Sequence, residues 1–262
     1  MNAQTDLQQS LAKCRIDGNI LHLPPLTEPL PNYPELRKAL LSAGAKYKRS
    51  TFVFPGPAKD YVDQLMGGTV NLRKEYQFFA TPPELADELV RRSGVASLPG
   101  DGLILEPSAG QGAILDAIAR VTDVVVDVCE LMEMNQKLLR QRKNVDLVAA
   151  DFLELKNHAD YYDVVVANPP FSKNQDIRHI YKMYEVTKPG GTIVTVASTH
   201  WQLADNRLER DFRQWVESHA EVEPLPRGTF AESGTEVPAC ILTIRKFEGG
   251  FKGKFRPVFT EE

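Results

Sequence analysis

The chain has 262 residues, 42% of them hydrophobic and 25% charged, with a formal net charge of −4. That length accommodates one large α/β domain and a smaller attachment, and that charge does not by itself announce a nucleic-acid partner. No apolar run reaches the roughly 18–20 residues of a membrane span, and the polar start MNAQTDLQQSLAKC has no basic n-region or apolar h-region, so a cytoplasmic protein is expected.

Residues 1–15 read as a short amphipathic helix or a loose end. A small module follows. NILHLPPL (19–26) is a strand stopped by prolines, and YPELRKALLSAG (33–44) is a helix with Pro34 in its first turn and Gly44 at its end. STFVF (50–54) is strand-like and AKDYVDQLMGG (58–68) is a second short helix, which makes a β-α-β-α unit too small to be stable without a neighbour.

From about residue 80 strands alternate with helices. TPPELADELVRRSGV (81–95) is a helix with a Thr81 cap, prolines in its first turn and Gly94 near its end. GLILE (102–106), VVVDVCE (124–130), VDLVAAD (145–151) and YDVVVAN (162–168) are apolar strands, with helices over 112–121 and 132–142. A helix near 176–187 precedes the strand GTIVTVAS (191–198), and a long helix near 204–219 precedes two more strands, EVEPL (221–225) and ACILTIRKF (239–247). Continuous apolar strands separated by helices predict a parallel sheet covered on both faces, closed here by an antiparallel edge hairpin. Ligands of such sheets bind beyond the carboxyl ends of the strands.

The cysteines Cys14, Cys129 and Cys240 show no CxxC spacing and the histidines show no HxxxH spacing, so neither a disulfide framework nor a metal site is expected. Cys129 lies in an apolar run and reads as a small buried thiol.

Four motifs sit at successive strand ends. LEPSAGQGAIL (105–115) ends a strand on Glu106 and opens a helix through a small-residue turn containing Ser108, Gly110 and Gly112, where backbone can approach a ligand closely. A tight β-α turn with no ligand has the same signature, and the absence of GxGxxG and of GK[ST] argues against dinucleotide and P-loop readings. DVCELMEMN carries Glu130, placed to accept both hydroxyls of a ribose or simply to end a strand in solvent. AADFLEL carries Asp151 and Phe152, suited to an adenine amino group and its ring, or to a helix cap and a core aromatic.

The fourth motif is Asn168-Pro169-Pro170-Phe171. The prolines stiffen the chain and free carbonyls from ladder pairing. An exocyclic amine on an aromatic ring is a poor nucleophile because its lone pair is delocalised. An amide oxygen and a proline-flanked carbonyl can accept its two hydrogens, return electron density to nitrogen and favour tetrahedral geometry, while Phe171 stacks on the ring.

Taken in order, these motifs resemble a class I S-adenosylmethionine-dependent amino-methyltransferase with an Asn-Pro-Pro-aromatic motif. FFATPPELADELV ahead of LEPSAGQGAIL resembles the leading motif of gamma-type DNA adenine-N6 methyltransferases, and NLRKEYQFFATPP resembles methyltransferases of phages and mobile elements. The resemblance covers 77–247. It implies an α/β fold, a Rossmann-like seven-stranded class I methyltransferase sheet of strand order 3-2-1-4-5-7-6, with a small N-terminal α/β module at 1–76 and a tail at 248–262. It implies S-adenosyl-L-methionine as cofactor, with Thr81 near its methionine end, Glu106, Ser108 and Gly110 lining it, Glu130 on the ribose, and Asp151 and Phe152 on its adenine. Asn168, Pro169, Pro170 and Phe171 would form the target-base pocket, into which an adenine of duplex DNA must flip.

The chain departs from the gamma-type pattern: LPRGTFAESGTEVPACILTIRKF reads as the closing hairpin of the sheet, and no large recognition domain follows it. Base gathers in the N-terminal module, where AKYKRSTFVF interleaves Lys46, Lys48 and Arg49 with aromatic residues. It gathers again in the tail, where Phe247, Phe251, Phe255 and Phe259 surround Lys252, Lys254 and Arg256. Such stretches suit phosphate contact and base stacking, or a solvated face and a hydrophobic clamp. DNA is the expected partner, with low sequence specificity and a nucleoid location when bound. RNA adenine or guanine-N2, and protein glutamine, are alternative acceptors for the same motif. A non-catalytic, DNA-binding anti-restriction protein is the rival of another kind, against which the intact Asn168 argues.

Overall fold

The computed structural model describes residues 3–25, 27, 28, 30, 32–66, 80–231 and 237–247. The chain divides into two compact units: Met1–Ala80 with Phe230–Thr235, and Thr81–Thr229 with Glu236–Glu262. Among the described residues no helix is long and apolar enough to cross a membrane.

In the first unit, helix α1 (Ala3–Ala12) leads into strands β1 (Arg15–Asp17) and β2 (Ile20–His22). Helix α2 (Tyr33–Ser42), strands β3 (Lys46–Lys48) and β4 (Thr51–Val53), and helix α3 (Ala58–Met66) follow. The expected β-α-β-α pattern is corrected here: the strands form an antiparallel sheet of order β1-β2-β4-β3, and β1 and β3 were not foreseen. Both are three residues long and exposed throughout, too short and too wet to carry a pattern of alternating polarity. The core of this unit is Leu21, Leu36, Leu40, Phe52 and Phe54, with the Phe54 ring stacked on Tyr61 at 4.8 Å.

The second unit alternates as expected. Helix α4 (Pro83–Ser93) is followed by β5 (Ile104–Glu106), α5 (Ala113–Ile118), β6 (Val126–Cys129), α6 (Glu133–Leu139), β7 (Val145–Ala149) and β8 (Tyr162–Ala167). Then come α7 (Gln175–Val186), β9 (Thr187–Ser198), α8 (Arg207–His219), β10 (Ala220–Pro224) and β11 (Ala239–Arg245). The sheet order is β10-β11-β9-β8-β5-β6-β7. Counted from β5, that is the 3-2-1-4-5-7-6 arrangement read from the other edge. The five strands β5 to β9 are parallel, and β11 and β10 close the sheet antiparallel.

The apolar faces explain why the sheet is covered on both sides. Leu85, Ala86, Leu89 and Val90 of α4 are buried, as are Ile114, Leu115 and Ile118 of α5. A second core combines Tyr162 and Val165 of β8 with Ile177, Ile180 and Met183 of α7 and Phe212, Trp215 and Val216 of α8. Phe212 meets Tyr181 edge-on at 5.5 Å and Trp201 at 5.2 Å, geometry that adds to simple area burial. Cys129 and Cys240 are buried within this unit, and burial pushes both thiols up to about 12.

One expected cap is corrected. Pro82, not Thr81, stands at the N-cap of α4, and no side chain caps that helix. The other end is as read, with Gly94 closing α4 at φ 75°.

Candidate active site

The carboxyl ends of β5, β6, β7, β8 and β9 lie side by side, because the parallel strands are in register from Ile104 with Val126 and Val164 to Ala167 with Thr195. The four strand-end motifs are therefore on one edge of one sheet.

Glu106 ends β5. It is 1% exposed, and its Oε2 is buried with no hydrogen-bond partner among the described residues. Burial pushes its carboxyl well above the ordinary carboxylate range; Arg142 pulls the other way, while Glu130 and Asp116 add to the rise. An unpartnered buried carboxyl oxygen is costly, and at the carboxyl end of a strand it is suited to a cationic ligand group.

The turn after β5 is held by its own backbone. Ala109 donates its N–H to Cys129 O at 3.0 Å, and Gly112 donates to Ala109 O at 2.8 Å. Gly112 stands at φ 87°, where a Cβ would lie 2.7 Å from the guanidinium of Arg142. Arg142 clamps this turn, donating to Gln111 O at 2.9 Å and pairing with Asp116 at 2.6 Å. Sequence reading missed Arg142 because it comes from the loop after α6, thirty residues further on, with no motif around it.

Glu130, just beyond β6, is treated differently. Oε2 accepts from Gly110 N and Oε1 from Met132 N, each at 2.7 Å, and Asn135 Nδ2 adds a contact at 3.4 Å. Burial raises this carboxyl too, and the two backbone donors and Asn135 oppose the rise. Glu130 is thus not a solvated strand-end charge, being only 8% exposed. After these bonds Oε2 keeps a second acceptor lobe, while the second lobe of Oε1 faces the longer Asn135 contact.

Asp151 accepts from Leu153 N at 2.8 Å and caps the short 3-10 turn Phe152–Glu154. Phe152 is 2% exposed and belongs to the core cluster. Its ring lies 5.4 Å from that of His179 on α7. His179 Nδ1 is 3.4 Å from Ser108 Oγ, and burial pushes the imidazole down to about 4, so the ring is neutral at pH 7, with the Asp151 charge opposing. His179 was also missed. A signal did exist: 176, 179, 180 and 183 share the buried face of a helix, so a buried ring was to be expected there.

Asn168 follows β8. Its Nδ2 donates to Thr81 Oγ1 at 3.1 Å, which orients the carboxamide and places Oδ1, its acceptor end, on the other arm. Thr81 therefore meets the Asn-Pro-Pro-Phe segment instead of capping α4. Phe171 is 7% exposed.

Of the basic residues expected to meet nucleic acid, Lys46 and Lys48 lie exposed on β3, with Arg49 exposed in the following turn at φ 47°. Tyr47 between them is 42% exposed, and the Arg37 guanidinium lies 5.5 Å from its ring centre. Lys252, Lys254 and Arg256 lie outside the described residues.

No family model matches the chain, and no curated protein matches its sequence. Solved structures do match. A Listeria monocytogenes protein assigned to the class I S-adenosylmethionine-dependent methyltransferases aligns at TM-score 0.53 and 15% identity, over 76% of this chain and 69% of that one. The methyltransferase subunit of a type I restriction-modification system from Streptococcus thermophilus aligns at TM-score 0.53 and 20% identity, over 72% and 49%. A protein of Vibrio vulnificus YJ016 assigned as the modification subunit of a type I restriction enzyme aligns at TM-score 0.50 and 16% identity, over 73% and 54%. The chain spans about half the length of these two subunits. At such identities the likeness is one of fold, and the fold is that of the class I methyltransferases.

Proposed function

We propose that this chain transfers a methyl group from S-adenosyl-L-methionine to the exocyclic N6 amine of adenine in DNA. The observation that carries the reading is the Asn168 carboxamide at the end of β8, oriented by Thr81 and followed by two prolines and Phe171. The class I neighbours imply S-adenosylmethionine as the cofactor. The residues fit it: the unpartnered Glu106 oxygen suits the ammonium of its methionine end, beside Ser108 and the Gly110 turn. Glu130 Oε2 has a lobe left for a ribose hydroxyl, and Asp151 and Phe152 would meet its adenine.

When bound, that cofactor supplies a sulfonium-activated methyl group. Asn168 Oδ1 and the Pro169 carbonyl accept the two hydrogens of the target amine and raise its nucleophilicity, and Phe171 holds the ring in line. No strongly basic side chain is needed, because nitrogen becomes acidic as it is alkylated and its proton can leave to water. A duplex adenine reaches such a pocket by flipping out. The names of the restriction-modification neighbours support a nucleic-acid substrate. Exposed Lys46, Lys48 and Arg49 support phosphate contact, and hence salt-sensitive binding of low sequence specificity.

Purified protein incubated with labelled S-adenosylmethionine and separate pools of DNA, RNA and protein tests the reading. Label in DNA as N6-methyladenine is the expected result. Label confined to RNA or to protein glutamine would replace the substrate and keep the chemistry, and no label in any pool would reject both.

A further inference from the structure

The segment after Phe171 contains two consecutive non-glycine residues in the left-handed region, Lys173 (φ 52°) and Asn174 (φ 59°). Such residues persist where surrounding contacts over-determine them. Asn174 stands at the N-cap of α7, yet its side chain makes no capping bond. Its Oδ1 instead meets His200 Nε2.

His200 joins three elements. It follows β9, and its Nδ1 meets Ser198 Oγ. Ser198 donates its one hydroxyl hydrogen to Asp176 Oδ2 at 2.6 Å, and its N–H goes to the same oxygen at 3.0 Å, so towards the ring its oxygen can only accept. On the far side of the ring, Nε2 lies between Asn174 Oδ1 and Glu209 Oε1, the latter at 3.2 Å on α8. Asp176 is fully buried and Glu209 is 4% exposed. The ring faces oxygen acceptors at both nitrogens and so ties the start of α7 to the end of β9 and to α8.

We propose that His200 is a positioning residue for the acceptor pocket. By holding Asn174 it fixes the left-handed turn that carries the chain from Phe171 into α7, and with it the placement of Phe171 and of the Pro169 carbonyl. The inference rests on the reading of Asn168–Phe171 as the pocket for the target amine.

Hydrogen exchange over residues 172–178 and steady-state kinetics on adenine-containing duplex DNA, run on the same full-chain variants, test it. His200→Ala should exchange faster there and lose roughly 10- to 100-fold in kcat, the scale on which misplacement by about 1 Å acts, with cofactor affinity changed less than about threefold. His200→Gln places an N–H donor near the Nε2 position and should restore both readouts. His200→Asn places one near Nδ1, reaches Ser198 only, and should restore neither. Asn174→Gly keeps the left-handed backbone, removes the acceptor and should match His200→Ala; the double variant should be no worse than either single one. Unchanged exchange in folded His200→Ala would overturn the proposal, as would rescue by Asn equal to that by Gln. If His200→Ala does not fold, Asn174→Gly decides, and wild-type exchange in it is the overturning result. If wild-type protein leaves adenine in DNA unmethylated while the exchange pattern holds, the substrate reading fails and the positioning role stands.

Discussion

The two halves of the sheet's carboxyl edge are made of different materials. At the ends of β5, β6 and β7 stand three carboxyl groups, Glu106, Glu130 and Asp151, two of them answered by backbone N–H groups and one with an oxygen left unpartnered among the described residues. At the ends of β8 and β9 stand an amide, a hydroxyl and an imidazole: Asn168, Ser198 and His200. The first half suits a ligand that brings a positive charge and hydroxyl donors. The second suits a neutral planar group, which needs acceptors held in place more than it needs charge. A group-transfer enzyme with a cationic donor and an uncharged acceptor would divide its edge in this way.

Breaking that division should cost most at Asn168. Asn168→Ala should slow methyl transfer by about 100- to 1000-fold, the usual scale for one preorganised polar contact to a reacting group. Cofactor affinity by calorimetric titration should stay within a few-fold. An equal loss of cofactor binding would mean that Asn168 serves the other half.

Glu106→Gln should do the reverse, weakening cofactor binding by about 1.5–3 kcal/mol, the scale of a hydrogen bond to a charged group. The same variant sharpens a pH argument. The folded carboxyl is raised above its ordinary value of 4.5, so the folded state holds this proton more tightly than the unfolded chain does. Its contribution to stability is complete below about pH 4.5 and is lost as pH rises through the raised folded value. Denaturant unfolding of cofactor-free protein across that range should show wild type losing stability relative to Glu106→Gln. A constant difference would show that the buried oxygen finds a partner.

Smaller effects probe the scaffold of the first half. Gly112→Ala should destabilise by about 1–2 kcal/mol from the left-handed backbone alone, and should displace Arg142 as well. Urea unfolding measures it. Asp151→Asn should leave stability within about 0.5 kcal/mol, because Asn caps as well as Asp. It should still weaken cofactor binding by about 0.5–1.5 kcal/mol through loss of one acceptor. Unaltered affinity would reduce Asp151 to a cap.

The large sheet was legible because its signals are local. The run Val164–Val166 is buried in full, and Gly94 ends α4 in the left-handed region that glycine tolerates. The strand ends were legible for the same reason, since each motif adjoins its own strand. The partners of those motifs were not. Arg142 against Gly112, His179 against Ser108 and His200 against Asn174 join residues 26 to 71 positions apart, and no spacing rule brings them together before the sheet does. Thr81 shows the same limit: a helix-capping type before two prolines reads locally as a cap, yet its hydroxyl goes to a residue 87 positions away.

Strand β3 has a consequence of another kind. Among the described residues it lies at the edge of the small sheet, with Lys46 and Lys48 exposed along it. An open edge offers unpaired backbone groups to any passing strand, and lysines are a common means of keeping such an edge from recruiting one. The same two side chains can therefore serve solubility whether or not they ever meet a phosphate. Exchanging both for glutamate separates the roles, because a negative edge still repels its own copies while it no longer attracts a polyanion.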